Sequence, residues 1–223
     1  MKRIFPVRYA LVLSLLACTF TAAAQNAAQP WPDTVLSRTQ ALAELQTLNA
    51  DLLSHPSATL TLESWCSAHH LAADAHVVAH RVHGADKPLP AGARTLLGIG
   101  PDEPVRYRRV ALSCGNVVLS DADNWYVPAR LTTAMNQQLD HSDVPFGKVV
   151  QPLHFRRQTL SAELLWSPLP QGWDAGAPLP PAGRDPLAVP DHVLQHRAVL
   201  YTADNQPFSL VVESYTRSVL ARP

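Results

Sequence analysis

The sequence has little charge and no excess of either sign. Its 18 Lys and Arg are matched by 18 Asp and Glu, and charged residues make up 16% of 223 positions. A formal net charge of zero provides no electrostatic footprint for nucleic acid or an anionic membrane, so neither class of partner is expected. Cysteine is scarce, at three residues. No Gly-x-Ser-x-Gly elbow, His-Glu-x-x-His, P-loop or dinucleotide fingerprint occurs, and Gly98-Ile99-Gly100 alone is too weak to count as one. The familiar hydrolase and nucleotide chemistries are therefore unsupported. Beyond the N-terminus, no apolar run reaches the roughly 20 residues needed to span a bilayer.

What is present begins with a leader. Lys2, Arg3 and Arg8 precede an almost uncharged apolar run from Tyr9 to Thr21, and Ala22-Ala23-Ala24 supplies the small residues signal peptidase requires before Gln25. Residues 1–24 are read as a secretory signal peptide and the protein as periplasmic or secreted. The alternative is a lipoprotein box at Leu15-Leu16-Ala17-Cys18, with Cys18 as a lipid anchor. Cleavage leaves about 199 of the 223 residues, one domain's worth. It also leaves Cys66 and Cys114 as an even pair in an oxidising compartment. They form either a disulfide or two buried free thiols.

Gln25–Pro32 reads as a linker. Leu36, Leu42, Leu45, Leu48, Leu52 and Leu53 recur at helical spacing up to His55-Pro56. Residues 25–57 are thus taken as linker and N-terminal helix, and 58–223 as the domain proper. Ser57 or Thr59 can cap a second helix carrying Leu60, Leu62, Trp65, Cys66 and His69. His76–Val82 reads as a strand and 84–104 as a loop rich in Gly and Pro. Arg106–Cys114 and Val117–Val127 form a hairpin across Gly115-Asn116. Leu131–Leu139 reads as a short helix, and Leu160–Trp166 as strand or helix. Ser167–Asp191 holds seven prolines and three glycines, an irregular excursion read as a lid or a disordered insert. His196–Tyr201 and Phe208–Tyr215 read as closing strands. Helices followed by hairpins predict a single α+β domain with a mostly antiparallel sheet.

Ten histidines raise the question of a metal. His76 and His80, four apart in a strand, would be about 13 Å from each other, too far to share one ion, and no metal site is expected. Alternation singles out two charged residues. Arg109 shares a strand face with Tyr107, Ala111 and Ser113, while Val110, Leu112 and Cys114 form the apolar face. Glu213 shares its face with Ser209, Val211 and Tyr215. If helices or loops cover that side of the sheet, Arg109 offers a fork for a carboxylate and Glu213 a proton-transferring group. The plainer alternative is a wet face of an antiparallel sheet. Arg108 points the other way and is the weaker candidate.

These motifs together resemble bacterial chorismate lyase. That family carries an Arg five residues before a Cys, a hairpin ending in Val-Pro, a Pro-Leu-Gly loop and a final strand bearing Glu. The matching positions here are Arg109 to Cys114, Val127-Pro128, Pro145-Phe146-Gly147 and Glu213. The resemblance covers roughly residues 58–220 and rests on the order and spacing of short motifs. It implies a single domain whose buried pocket is closed by helical flaps, with no metal or organic cofactor. Arg109 would hold a carboxylate, Glu213 would take part in the elimination of pyruvate from chorismate to give 4-hydroxybenzoate, and Phe146 and Gly147 would contact the ligand through their backbone.

The sequence departs from that pattern in four places. The family's second pocket arginine falls on Asn124. The last strand carries one extra residue before Glu213, which calls for a bulge. The Pro-rich segment at about 167–191 has no counterpart, and the family works in the cytoplasm without a leader. The expectation is thus an exported protein that binds a small aromatic or cyclic carboxylate, with lyase activity as the concrete hypothesis. The alternatives are a non-catalytic periplasmic sensor or carrier for aromatic acids, and an envelope interaction protein presenting Asp123-Asn124-Trp125-Tyr126 as a contact surface.

Overall fold

A computed structural model describes residues 30–84 and 86–222; residues 1–24, read from the sequence as a leader, and Cys18 among them, lie outside the described residues. The chain runs through α1 (Val35–Ser54), α2 (Ala58–Ala68), β1 (Val77–Arg81), α3 (Ala93–Leu97), β2 (Arg106–Cys114), β3 (Val117–Tyr126), α4 (Thr133–His141), α5 (Phe146–Val149), β4 (Arg156–Leu164), β5 (His192–Tyr201) and β6 (Pro207–Thr216). The strands form one antiparallel sheet in the order β1-β2-β3-β6-β5-β4. The class is α+β and the unit a single domain. No helix among the described residues is long and apolar enough to cross a membrane.

Local chemistry explains the element ends. Thr34 caps α1 by accepting the Ser37 N–H, and Ser57, rather than Thr59, caps α2 by accepting the Leu60 N–H. At the β2–β3 turn, Gly115 is in the left-handed region at φ 55°, and a Cβ there would lie 2.9 Å from the Ala72 methyl, so only glycine fits. The short α3 lies between Gly92 and Gly98, both left-handed. Five residues are too few to show helical periodicity, which is why 84–104 reads as plain loop.

α1 belongs to the domain. Ala41, Leu45, Leu48 and Leu52 are buried in one cluster with Leu62 and Trp65 of α2, Val110 and Leu112 of β2, and Tyr215 of β6. A boundary at residue 57 would cut through this core. A second cluster on the same side of the sheet joins Met135 and Leu139 of α4 and Phe146 of α5 to Ala198, Leu200 and Val211. On the opposite side, α3 covers part of the sheet, with Leu97 packed on Trp125, Val199 and Leu210. Cys66 and Cys114 are joined by a disulfide that ties α2 to β2, with Cα atoms 6.5 Å apart.

The Pro-rich segment has no strand or α-helix, but it is pinned in place. Gly183 N–H donates to Asp33 O, and Leu187 N–H to Trp31 O, both at 2.8 Å. Buried Arg38 bridges Asp33 at 2.6 Å and donates to the carbonyls of Pro180 and Pro181. The segment is a strap across the start of α1.

Candidate functional site

The helix-covered face of the sheet carries a small, partly open cavity where the α1–α2 turn, the start of α2 and α5 meet β2, β3, β6, β5 and β4. Its apolar walls include Val110, Leu112, Phe146, Phe155, Leu200 and Val211. Its polar groups are Asn124, Arg157, Glu213 and the α2 N-terminus at Ser57-Ala58-Thr59. About 30 Å³ is left for the centres of water-sized spheres, room for a water or two. A ring-sized guest therefore requires the walls to part. The strap over Trp31–Arg38 lies at the opposite end of α1 and does not lid this cavity.

Register decides which residues reach it. Glu213 pairs with Ala122, and Ala122 pairs with Val110, so these three share the cavity face. Arg109 pairs with Asp123, which pairs with Val212, and this places Arg109 on the opposite face. Arg109 and Glu213 are thus separated by the sheet. Alternation correctly identifies which neighbours share a face within each strand. It does not reveal how faces of different strands line up, and on β2 the apolar set Val110 and Leu112 is the side facing the cavity. Arg109 lies instead 4.0 Å from Asp123, which accepts from Tyr107 Oη and Lys87 Nζ, each at 2.5 Å. Burial pushes Tyr107 up to about 12, aided by Asp123.

Glu213 meets a partner the sequence did not single out. Arg157 Nη2 on β4 lies 2.6 Å from Glu213 Oε2, with both side chains at least nine-tenths buried. Burial works against the Arg157 cation, but the Glu213 carboxylate outweighs it and holds the guanidinium above its usual value. Tyr215 Oη donates to Glu213 Oε2 at 3.4 Å, and burial raises that phenol well above 10, so it remains a donor. His196 pairs with Glu213 across the β5–β6 ladder and shares a hydrogen bond with Asn49 Oδ1 at 2.8 Å. Burial and then Arg157 lower His196 to about 4, so the ring is neutral at pH 7. The β5–β6 register slips between Leu200 and Tyr201, near the Pro207 end of β6.

Asn124 and Arg108 form a directly opposed pair in the β2–β3 ladder, on the cavity face. Asn124 is buried and its Oδ1 has no hydrogen-bond partner among the described residues. Arg108 is 2% exposed. Its Nη2 donates weakly to Ser142 O and Val144 O, at 3.4 and 3.3 Å, in the α4–α5 link, while Nε and Nη1 are without partners among the described residues. Burial, with Arg81 nearby, lowers its pKa to about 10, still charged at neutral pH. Gly147 comes close to the α2 cap: a Cβ there would lie 3.2 Å from Ser57 Oγ and 3.4 Å from Thr59 Oγ1.

The cavity thus gathers Glu213, Asn124, Phe146 and Gly147 from the sequence-predicted set, excludes Arg109, and adds Arg157; Tyr215 and His196 back Glu213 from outside the lining, and Arg108 lies on the same sheet face. Asp123, Asn124, Trp125 and Tyr126 are all buried, so they form no contact surface. Among the described residues no group of three or more His, Cys, Asp or Glu is placed to hold a metal ion.

Fold and site define a single-domain α+β protein with a small cavity, lined by a buried Arg–Glu pair, on the helical face of its sheet. Over 204 residues the chain is 55% identical to a Sinorhizobium fredii protein described as "Uncharacterized protein y4mC", covering 91% of this chain and 86% of that one. The chain belongs to the y4mC family. No family model matches it. Among solved structures, PhnF from Mycobacterium smegmatis aligns at 14% identity and TM-score 0.48 over 76% of this chain and 67% of that one. The PhnF effector domain alone aligns at 14% and 0.47, over 73% and 89%. At these TM-scores the likeness carries no functional argument.

Proposed function

We propose that the cavity is a binding site for a small organic anion, a carboxylate carried on an apolar ring or cyclic skeleton, in a protein exported from the cytoplasm. The observation that carries this reading is the buried Arg108–Asn124 pair, with unpartnered nitrogens on one residue and an unpartnered oxygen on the other. A buried cation short of hydrogen bonds is costly, and a ligand carboxylate is the group that best satisfies a guanidinium fork. The N-terminus of α2 adds donors and a positive dipole end at the cavity wall. The apolar walls suit a ring.

In the chorismate lyase resemblance, the role of carboxylate anchor fell on Arg109. On the cavity face of β2 the cation is Arg108, which we take as the anchor, and Arg157 supplies a second cation that Asn124 does not. Entry requires α5 and the α1–α2 turn to separate, since Phe146, Gly147, Pro56 and Ser57 wall the cavity together. The Cys66–Cys114 disulfide supports the export reading, because such bonds persist in oxidising compartments. Fractionating expressing cells and sequencing the mature N-terminus tests it: an end at Gln25 is expected, and an uncleaved cytoplasmic chain would refute it.

For binding, the test is thermal stabilisation by 4-hydroxybenzoate and by chorismate. A rise in Tm that grows with concentration is expected. No shift with either at millimolar levels would overturn the proposal for this ligand class. A second reading is elimination of pyruvate from chorismate, and it rests on Glu213 lining the cavity with the Tyr215 hydroxyl behind it. Glu213 would pass a proton as the enol-ether C–O bond breaks. Against it, Arg157 already engages that carboxylate. Formation of 4-hydroxybenzoate by the wild type, lost in Glu213→Gln, would establish the lyase; no product leaves the site as a binding site only.

A further inference from the structure

The two edges of the sheet differ. The β1 edge is short and blocked: Ala79 N–H donates to Asp143 O at 2.9 Å, and Arg81 Nη1 to Asp140 O at 2.7 Å. The β4 edge is nine residues long, and among the described residues no backbone hydrogen bond reaches it from outside the β5 ladder. Leu160, Ser161, Ala162 and Glu163 are exposed on both faces of the strand, with Leu160 38% exposed. An open edge of this length leaves backbone groups free to pair with another strand.

The charges on β4 are arranged for its own copy. Arg156 pairs with Tyr201 and Glu163 with Gln195, six residues apart on unbroken β5, so both charges project from the same face despite the irregularity between Thr159 and Ser161. They lie at opposite ends of the strand with opposite signs. Arg156 donates from Nε to Asn205 Oδ1 at 2.9 Å and stacks over the ring of its β5 neighbour Tyr201. Glu163 has no hydrogen bond or ion pair among the described residues.

We propose that β4 pairs antiparallel with β4 of a second copy of this chain. In the register that aligns the charges, Arg156 faces Glu163, Arg157 faces Ala162, Gln158 faces Ser161 and Thr159 faces Leu160. The two-fold axis makes each contact twice, an isologous interface that joins two sheets into one. Both cavities then open on the same side of the joined sheet, and the strand that forms the interface also carries Arg157 of the buried ion pair. The complementary charges decide between a copy of this chain and an unrelated extended segment, which would have no reason to present them at matching distance.

The test is sedimentation equilibrium of the full chain over a concentration series, with Glu163→Arg, Arg156→Glu and the double variant. The wild type is expected to dimerise, and each single variant to weaken the dimer by roughly tenfold or more, since like charges are then opposed at two symmetric positions. The double variant is expected to recover dimerisation while all four proteins keep their Tm as dilute monomers. A wild type that stays monomeric to roughly millimolar concentration, where even weak specific contacts form, would overturn the proposal. So would a dimer indifferent to Glu163→Arg.

Discussion

Asp123 and Glu213 lie on neighbouring strands of one sheet and point to opposite sides. Asp123 is served locally: Tyr107 and Lys87 donate to it, Arg109 lies alongside, and Lys87 is itself half exposed. Glu213 lies against Arg157 and Tyr215 in a cavity that also exposes Asn124, and Asn124 and its ladder neighbour Arg108 are short of partners. The first arrangement clamps a loop onto the sheet and is complete without anything further. The second closes one ion pair and leaves donors and an acceptor unmet beside it. A charged residue on a sheet thus points to function through the hydrogen bonds its surroundings leave unmade, more than through its own presence.

Removing one cation from each side probes this contrast most strongly. Arg157→Ala strands Glu213 in a buried site and is expected to cost about 3–5 kcal/mol in urea denaturation. Lys87→Ala leaves Asp123 its Tyr107 donor and the Arg109 guanidinium alongside, and is expected to cost about 1 kcal/mol or less. Equal losses would erase the distinction between the faces.

The covered face is also the one fastened covalently. Cys66→Ser with Cys114→Ser is expected to lower stability by about 2–4 kcal/mol and to loosen α2 over the cavity. Faster hydrogen exchange in α2 than in α3 would locate the effect on the cavity side. A smaller, pH-dependent difference follows from His196. Its folded-state pKa of about 4 lies below the ordinary 6.5, so the unfolded chain binds the proton more readily. The contribution is present above pH 6.5 and is lost as pH falls toward 4. His196→Gln is expected to flatten the fall in Tm across that window, and an unchanged slope would contradict the assignment.

Much of the fold was legible because it follows local rules. The helical spacing of Leu42, Leu45, Leu48 and Leu52, a cap at Ser57 or Thr59, and the Gly115-Asn116 hairpin all report on neighbours in sequence. The site was legible in part. Glu213, Asn124, Phe146 and Gly147 reach the cavity, but Arg109 does not, because facing across strands depends on register between segments about 100 residues apart. Arg157 was hidden for a related reason. It opens a polar stretch, Arg156-Arg157-Gln158-Thr159, with none of the alternation that marks a strand, and its meaning comes only from lying two strands away from β6.

The central claim is that the unmet Arg108 donors on the cavity face of the sheet await a ligand's carboxylate. Arg108→Met separates this from a structural role, because it removes a buried guanidinium with poor hydrogen bonds and replaces it with an apolar chain of similar reach. Thermal unfolding of wild type and Arg108→Met, each with and without 4-hydroxybenzoate, is the most direct measurement. The account predicts a variant at least about as stable as wild type in the absence of ligand, and a ligand-induced rise in Tm seen only in the wild type. A variant that unfolds far more easily alone, or one that the ligand stabilises as much as it does the wild type, would contradict it.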